Sequence, residues 1–357
     1  MKGLRLVSLL TVLLSGVLPA HAQWLNHPTA GIPRTADGKA DPNAPAPRLP
    51  DGTPDLSGYW NLPLEQAYVM DITSDLRPED VKPAASKLFE QRLSEFGKDD
   101  PGTIGCLPSG PRHILGGAIP SNVRIVQTPL LIVMLFEDLT HRQIHLDGRK
   151  LPDDPNPSFM GYSIGRWEGD MLVVETIGFN GRTWLDFGGH PYGEKLKTIE
   201  RFRRTNFGRI ERQVTLIDEE FYNQPIILQA PMIFAADTDM LEYICNENPR
   251  SRPHLVGRTD QERKVVVRPE VLRRYVGTFN FVDGRRGVLR QFTVSLENGQ
   301  LLVALNGKGR LPLLPMSETT FSARFTGTLQ FVLDTSGDVT HVLSHMAEGT
   351  ARYVRSR

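Results

Sequence analysis

The stretch Tyr162–Ile177, "YSIGRWEGDMLVVETI", decides the fold class. Two β-prone runs, "YSIGRW" and "MLVVETI", flank Glu168-Gly169-Asp170, and a short Gly-containing turn between such runs is the signature of a β-hairpin. The rhythm continues in both directions. Upstream stand "VRIVQT" (123–128), Pro129, "LLIVMLFE" (130–137) and "RQIHL" (142–146), the last ended by the turn pair Asp147-Gly148. Downstream come "LKTIERFRR" (196–204), a turn at Asn206-Phe207-Gly208, "RIERQVTLI" (209–217) and "MLEYICNEN" (240–248). "LLIVMLFE" is apolar at successive positions, which predicts a buried strand. Short strands joined by turns, with almost no helix between them, predict a mainly β chain: an antiparallel curled sheet or a calycin-like barrel.

One helix is expected, over about 78–96, because Phe89, Leu93 and Phe96 recur at spacings of four and three before Gly97. "GYW" (58–60) opens the folded region, so the first β domain runs over 58–246. Residues 23–57, rich in Pro, Gly, Ala and Asp, predict an extended or disordered arm. The polar, basic stretch 247–268 reads as a linker. The strand–turn rhythm then resumes over 269–357, with Glu297-Asn298-Gly299 as a strong hairpin turn, and predicts a second, small β-barrel.

Residues 1–22 have the plan of a secretory signal: Lys2 and Arg5, the apolar run Leu6–Leu18, and the cleavage pattern Ala20-His21-Ala22. No later apolar stretch approaches the roughly 18 residues needed to span a bilayer. The expected location is the periplasm or the exterior. Lys plus Arg and Asp plus Glu each number 41, and this balance removes the basic surface on which nucleic-acid binding depends. In an oxidising compartment the two cysteines, Cys106 and Cys245, are expected to form a disulfide; buried free thiols or a catalytic cysteine are the alternatives.

Two resemblances rest on specific residues. "YVGTF", "VSLENGQLLVALNG", "LPLLPMSETTFSARF" and "LQFVLDTSGDVTHVLSH" make the last quarter of the chain similar to the small lipocalin-like barrel appended to bacterial β-lactamase-like serine hydrolases. That resemblance implies a non-catalytic companion domain. The partner's Ser-x-x-Lys motif has no counterpart in a suitable context here. "DGTPDLSGYW", "HLDGRKLPDDPNPSFMGYSIGRWEGDMLVVETIGFN", "GHPYGEKLKTIERFRR" and "LEYICNEN" make residues 50–250 resemble a family of uncharacterised exported bacterial proteins, which implies no activity. In that family His-Ser-Glu stands where this chain has Tyr192-Gly193-Glu194, so no site with a second histidine is expected there. "SGYW" also resembles the Gly-x-Trp that opens lipocalin barrels, where the Trp closes one end.

Candidate chemistry concentrates in "DFGGHPYGEKLKTIERF" (186–202). Strand alternation puts Leu196, Thr198, Glu200 and Phe202 on one face, so Glu200 stands among apolar side chains and needs an Arg or His partner. His190 with Asp186 or Glu200 forms a candidate acid–base pair; the competing reading makes Glu200 a rim ion pair with Arg201 or Arg203 and His190 a turn cap. His141 and His145 lie on one strand face with Gln143 between them, and His113 or Glu200 would have to complete a metal set. Solvent-facing strand residues explain that pair more simply, and no metal or other cofactor is expected. "SGPRHILGG" (109–117) offers Arg112 and His113 in a candidate anion nest. The expected ligand-contacting set is Arg112, His113, His145, Arg149, His190, Glu200 and Arg203. The leading expectation for function is binding of a small organic or lipid-like ligand, or service as an accessory to an exported enzyme. The alternative is a metal-independent hydrolase or lyase built on the His-carboxylate pair, with Arg203 or Arg149 facing anionic charge.

Overall fold

A computed structural model describes residues 27–63, 66–95, 97–118, 121–247, 265–284, 290–305, 308–323, 327–346 and 349–356. The leader expected over 1–22 and most of the linker 247–268 lie outside the described residues.

The first sheet contains β1 (Gly58–Asn61), β2 (Asn122–Gln127), β3 (Leu131–Phe136), β4 (His141–His145), β5 (Tyr162–Glu168), β6 (Met171–Ile177), β7 (Lys197–Asn206), β8 (Arg209–Ile217), β9 (Ile226–Gln229) and β10 (Met232–Phe234). Neighbours in sequence are neighbours in space from β1 to β9. β9 and β10 continue one register along β8, from Leu216↔Ile226 to Arg209↔Ile233, and Pro231, which has no N–H to donate, interrupts them. β10 also pairs with β1 through Trp60↔Phe234, which closes the wall as a nine-stranded barrel. Closure leaves few free edges.

One pairing departs from the expected antiparallel plan. β4 and β5 run parallel and share only Ile144↔Ser163 and His145↔Ile164. The Pro-rich connection 146–161 is too long for a hairpin and acts as a crossover that returns the chain in the same direction. The predicted strand at 240–248 does not form over its described residues, 240–247, either. Residues 240–247 cross outside the barrel, where Tyr243 N–H donates to the Glu137 carbonyl (2.8 Å) and Leu241 N–H to the Glu137 carboxylate (3.2 Å).

The helices are α1 (Gln66–Met70), α2 (Pro83–Ser94), α3 (Pro111–Leu115) and α4 (Pro269–Leu272). The single helix expected over 78–96 is a 3-10 turn at Pro78–Asp80 followed by α2. Pro83 cannot sit inside a helix but suits its first position, so the chain restarts there. Over its described residues, 27–57, the arm is pinned to the first barrel: Arg34 pairs with Asp237 (2.6 Å), and Arg48 with Asp170 (2.7 Å).

The second sheet is a closed eight-stranded antiparallel barrel: β11 (Gly277–Gly284), β12 (Gln291–Glu297), β13 (Gln300–Leu305), β14 (Lys308–Pro315), β15 (Thr320–Ala323), β16 (Gly327–Leu333), β17 (Val339–Met346) and β18 (Gly349–Arg355). Asn298 and Gly299 both have positive φ, as the predicted hairpin turn requires. Its interior is aromatic. Tyr275 stacks on Phe331 at 4.3 Å, Phe279 and Phe321 meet Phe331 edge to face, Phe292 stacks on Phe279, and Tyr353 meets Phe292 edge to face. Each such fully buried side chain contributes about 1.5–3 kcal/mol by burial alone. Met70 of α1 and Phe187 belong to this second core, with Val69 of α1 and Leu93 of α2 packed against it, so α1, α2 and the 178–196 loop sit between the barrels.

Candidate functional site

His190 lies in the 178–196 loop, which Leu185 N–H closes on the His190 carbonyl (2.9 Å). The two glycines before it serve close packing. A side chain at Gly188 would run into the Met70 carbonyl and the Phe89 ring, and Gly189 has φ of +109° with the Arg92 stem directly opposite. The loop can therefore press His190 beneath Phe89, whose ring stacks on the imidazole at 3.8 Å. Asp186 Oδ1 accepts the N–H groups of Gly189 (2.7 Å) and His190 (3.0 Å); Oδ2 accepts Ile72 N–H (2.8 Å) and faces His190 Nδ1 at 2.5 Å. On the other side His190 Nε2 meets Thr73 Oγ1 at 3.1 Å and Asp71 Oδ1 at 3.8 Å.

Burial opposes charge on both groups, yet their mutual attraction and hydrogen bond hold Asp186 below and His190 above their ordinary values. Burial pushes Asp71 upward. The surroundings thus favour the charged form of His190. At 2% exposure and covered by Phe89, the ring is not presented to a substrate. Asp71, Asp186 and His190 place one donor atom each within 4.8 Å of one another, but both Asp186 oxygens are already committed. The cluster pins α1, α2 and the loop together.

Glu200 points inward from β7, as alternation requires, but into a different place. Its Oε1 accepts Arg142 Nη2 from β4 (2.6 Å), and Oε2 lies 3.5 Å from Arg212 Nη1 of β8. Arg142 also donates to Ser163 Oγ (3.0 Å) and Thr176 Oγ1 (2.7 Å), and Arg212 Nε to the Ala230 carbonyl (2.8 Å). All are buried. The expected rim pairing with Arg201 or Arg203 is replaced by this interior network, because those two side chains point outward. Thr198 Oγ1, Glu200 Oε2 and both Arg212 Nη atoms have no hydrogen-bond partner.

The remaining predicted residues scatter. "SGPRHILGG" folds as α3 rather than an open nest, with Gly116 as its left-handed cap. Arg112 makes a bidentate pair with Asp100 (2.9 and 2.7 Å) under Phe187, and His113 faces Asp138 (2.7 Å) against Phe136. Cys106 and Cys245 are joined as a disulfide, with Cα atoms 5.7 Å apart. Arg203 is exposed on β7, across from Glu211.

His145 does line a cleft, and Arg149 lies beside it. Where β4 and β5 diverge from their two shared pairs, a cleft of about 490 Å³ opens, lined by Thr140–Gln143, His145, Ser158–Ser163 and Pro108. The His145 and Tyr162 rings lie 5.4 Å apart, and Arg149 donates to the Tyr162 hydroxyl (3.0 Å). Burial and the nearby Arg149 lower the His145 pKa, so it is neutral at pH 7. A smaller cleft of about 210 Å³, walled by the disulfide, Asp138 and Tyr243, shares Pro108 and Thr140 with it. Sequence reasoning missed Gln143, Phe159 and Tyr162 as lining residues. The available signal was the length of the 146–161 connection, which ruled out a hairpin.

The chain matches no protein-family model and no curated protein. Among the described residues no helix is long and apolar enough to cross a membrane.

Proposed function

We propose that the protein binds a small organic molecule in the cleft at the β4–β5 seam, as an exported, non-catalytic binding protein. The observation that carries this reading is the seam itself: two strands held by two residue pairs part to leave a ligand-sized cleft with Phe159 and Tyr162 on its wall. Phe159, Met160 and Tyr162 offer an apolar wall; His141, Gln143, His145 and Ser158 offer polar contacts. The disulfide suits an oxidising compartment. A catalytic reading is weaker, because the His190–Asp186 pair is closed off and Glu200 belongs to another cluster. The second barrel, with its aromatic filling, fits the companion role that its resemblance implies. A lipid-like ligand inside that barrel would have to displace its core.

The test is a thermal-shift screen with a panel of small aromatic and heteroaromatic compounds on the wild type, Tyr162→Ala and Phe159→Ala. A ligand at 100-fold its Kd stabilises by about 2.7 kcal/mol. Shifts seen in the wild type and lost in both variants are expected. No shift with any compound, or equal shifts in all three proteins, would overturn the proposal.

A further inference from the structure

We infer that the seam cleft selects an anion: its ligand is a small aromatic carboxylate rather than a neutral molecule of the same shape. This rests on the cleft being a ligand site and adds the charge of what enters it.

The argument starts from residues shared by the cleft and the barrel interior. Arg142 and Ser163 line the cleft, and the bond from Arg142 Nε to Ser163 Oγ (3.0 Å) ties β4 to β5 where the seam parts. Behind that tie stands Glu200, shared by Arg142 (2.6 Å) and Arg212 (3.5 Å). Two guanidiniums face one carboxylate, which leaves a net charge of +1. The other polar side chains of this cluster, Ser163, Thr176 and Thr198, are neutral.

Burial lowers the Arg212 pKa to about 10, so the side chain remains charged at neutral pH. Both its Nη atoms are buried without a hydrogen-bond partner. An excess cation in a low-dielectric wall is screened poorly, and its field reaches the nearest open volume. The open volume that Arg142 itself lines is the seam cleft. His145 on the cleft wall is neutral, and Asp147 just beyond it is already paired with Arg149 (2.5 Å), so no lining carboxylate cancels the field. The Tyr162 ring and Phe159 give an aromatic body a wall to rest on.

The probes are 2-naphthoate and its neutral isostere 2-naphthamide, titrated by NMR into the wild type, Glu200→Gln and Arg212→Met. The expected result is binding of the carboxylate with the amide about tenfold weaker. Glu200→Gln removes the neutralising charge and is expected to tighten the carboxylate about tenfold, the order given by one unit charge roughly 12 Å away at an effective dielectric of about 20. Arg212→Met is expected to weaken the carboxylate by a similar factor. The amide should be unmoved by either change. Stability loss alone would weaken both probes together, so opposite responses of the carboxylate in the two variants mark the electrostatic effect. Should one variant fail to fold, the other still reads the effect, because the carboxylate must shift in it in the stated direction while the amide does not. Equal binding of the two probes, preference for the amide, or binding of other neutral compounds but neither naphthalene would overturn the inference and leave the cleft reading intact. No binding by any compound would remove the cleft reading itself.

Discussion

The two barrels reach closure by opposite means. The second is a run of antiparallel hairpins around an aromatic core, and Tyr275, Phe279, Phe321 and Phe331 are each almost completely buried. The first has a parallel step in its wall and a charged network inside. Its seam is crossed by a side-chain bond where backbone pairs are few. A filled hydrophobic core gives a sealed structure with nothing to offer a ligand. A barrel closed partly by polar side chains spends stability on desolvation, and gains an opening whose electrostatics those same side chains set.

Breaking each interior is the strongest way to sharpen that contrast. Glu200→Ala leaves two buried guanidiniums facing each other and is expected to cost about 3–5 kcal/mol. Phe331→Ala in the second barrel is expected to cost a similar 3–5 kcal/mol by opening a cavity. Denaturant unfolding followed by far-UV circular dichroism reads both. The mechanisms separate in a rescue: a triple variant with Arg142→Met, Glu200→Leu and Arg212→Met should recover most of the first loss, whereas a charge cannot rescue the second.

Removing the disulfide comes next. Cys106 and Cys245 are separated by 139 positions, and replacing both with Ala is expected to cost about 2–5 kcal/mol, measured by the same unfolding curves. The loss should fall on the first barrel, which the bridged strap crosses.

The His190 cluster predicts a pH signature. The folded His190 pKa is raised, so its stabilisation is fully present below the unfolded value of about 6.5 and is lost as pH rises through the folded value. Asp186 is depressed, so its contribution is present above about 3.9 and is lost as pH falls through its folded value. Stability measured from pH 3 to 10 should therefore decline at both ends, and His190→Gln should flatten the alkaline decline. An unchanged alkaline limb in that variant would show that His190 is not charged in the fold. The smallest stability effect is expected at Tyr162→Ala, about 1 kcal/mol or less for a half-exposed side chain, with the larger consequence in ligand binding.

What could be read from the sequence follows what is local. Hairpins 162–177 and 291–305 are legible because each turn is set by its own residues, Gly169-Asp170 and Asn298-Gly299. The inward face of β7 is legible because alternation needs no partner. The partners of Glu200 are not, since Arg142 and Arg212 arrive from β4 and β8, and only barrel closure decides which guanidiniums reach the interior. His190–Asp186 could be read as a pair at close spacing, but its burial depends on Phe89 from a distant helix. α3 and β10 escape notice because five and three residues carry too little periodicity to register.

The most direct test is a single NMR titration of the full chain with 2-naphthoate, following backbone amides in both barrels. Perturbations confined to the seam, at residues 140–145 and 158–163, with the second barrel unmoved, are the predicted result. Perturbations centred on the second barrel, or on the loop around His190, would contradict the account.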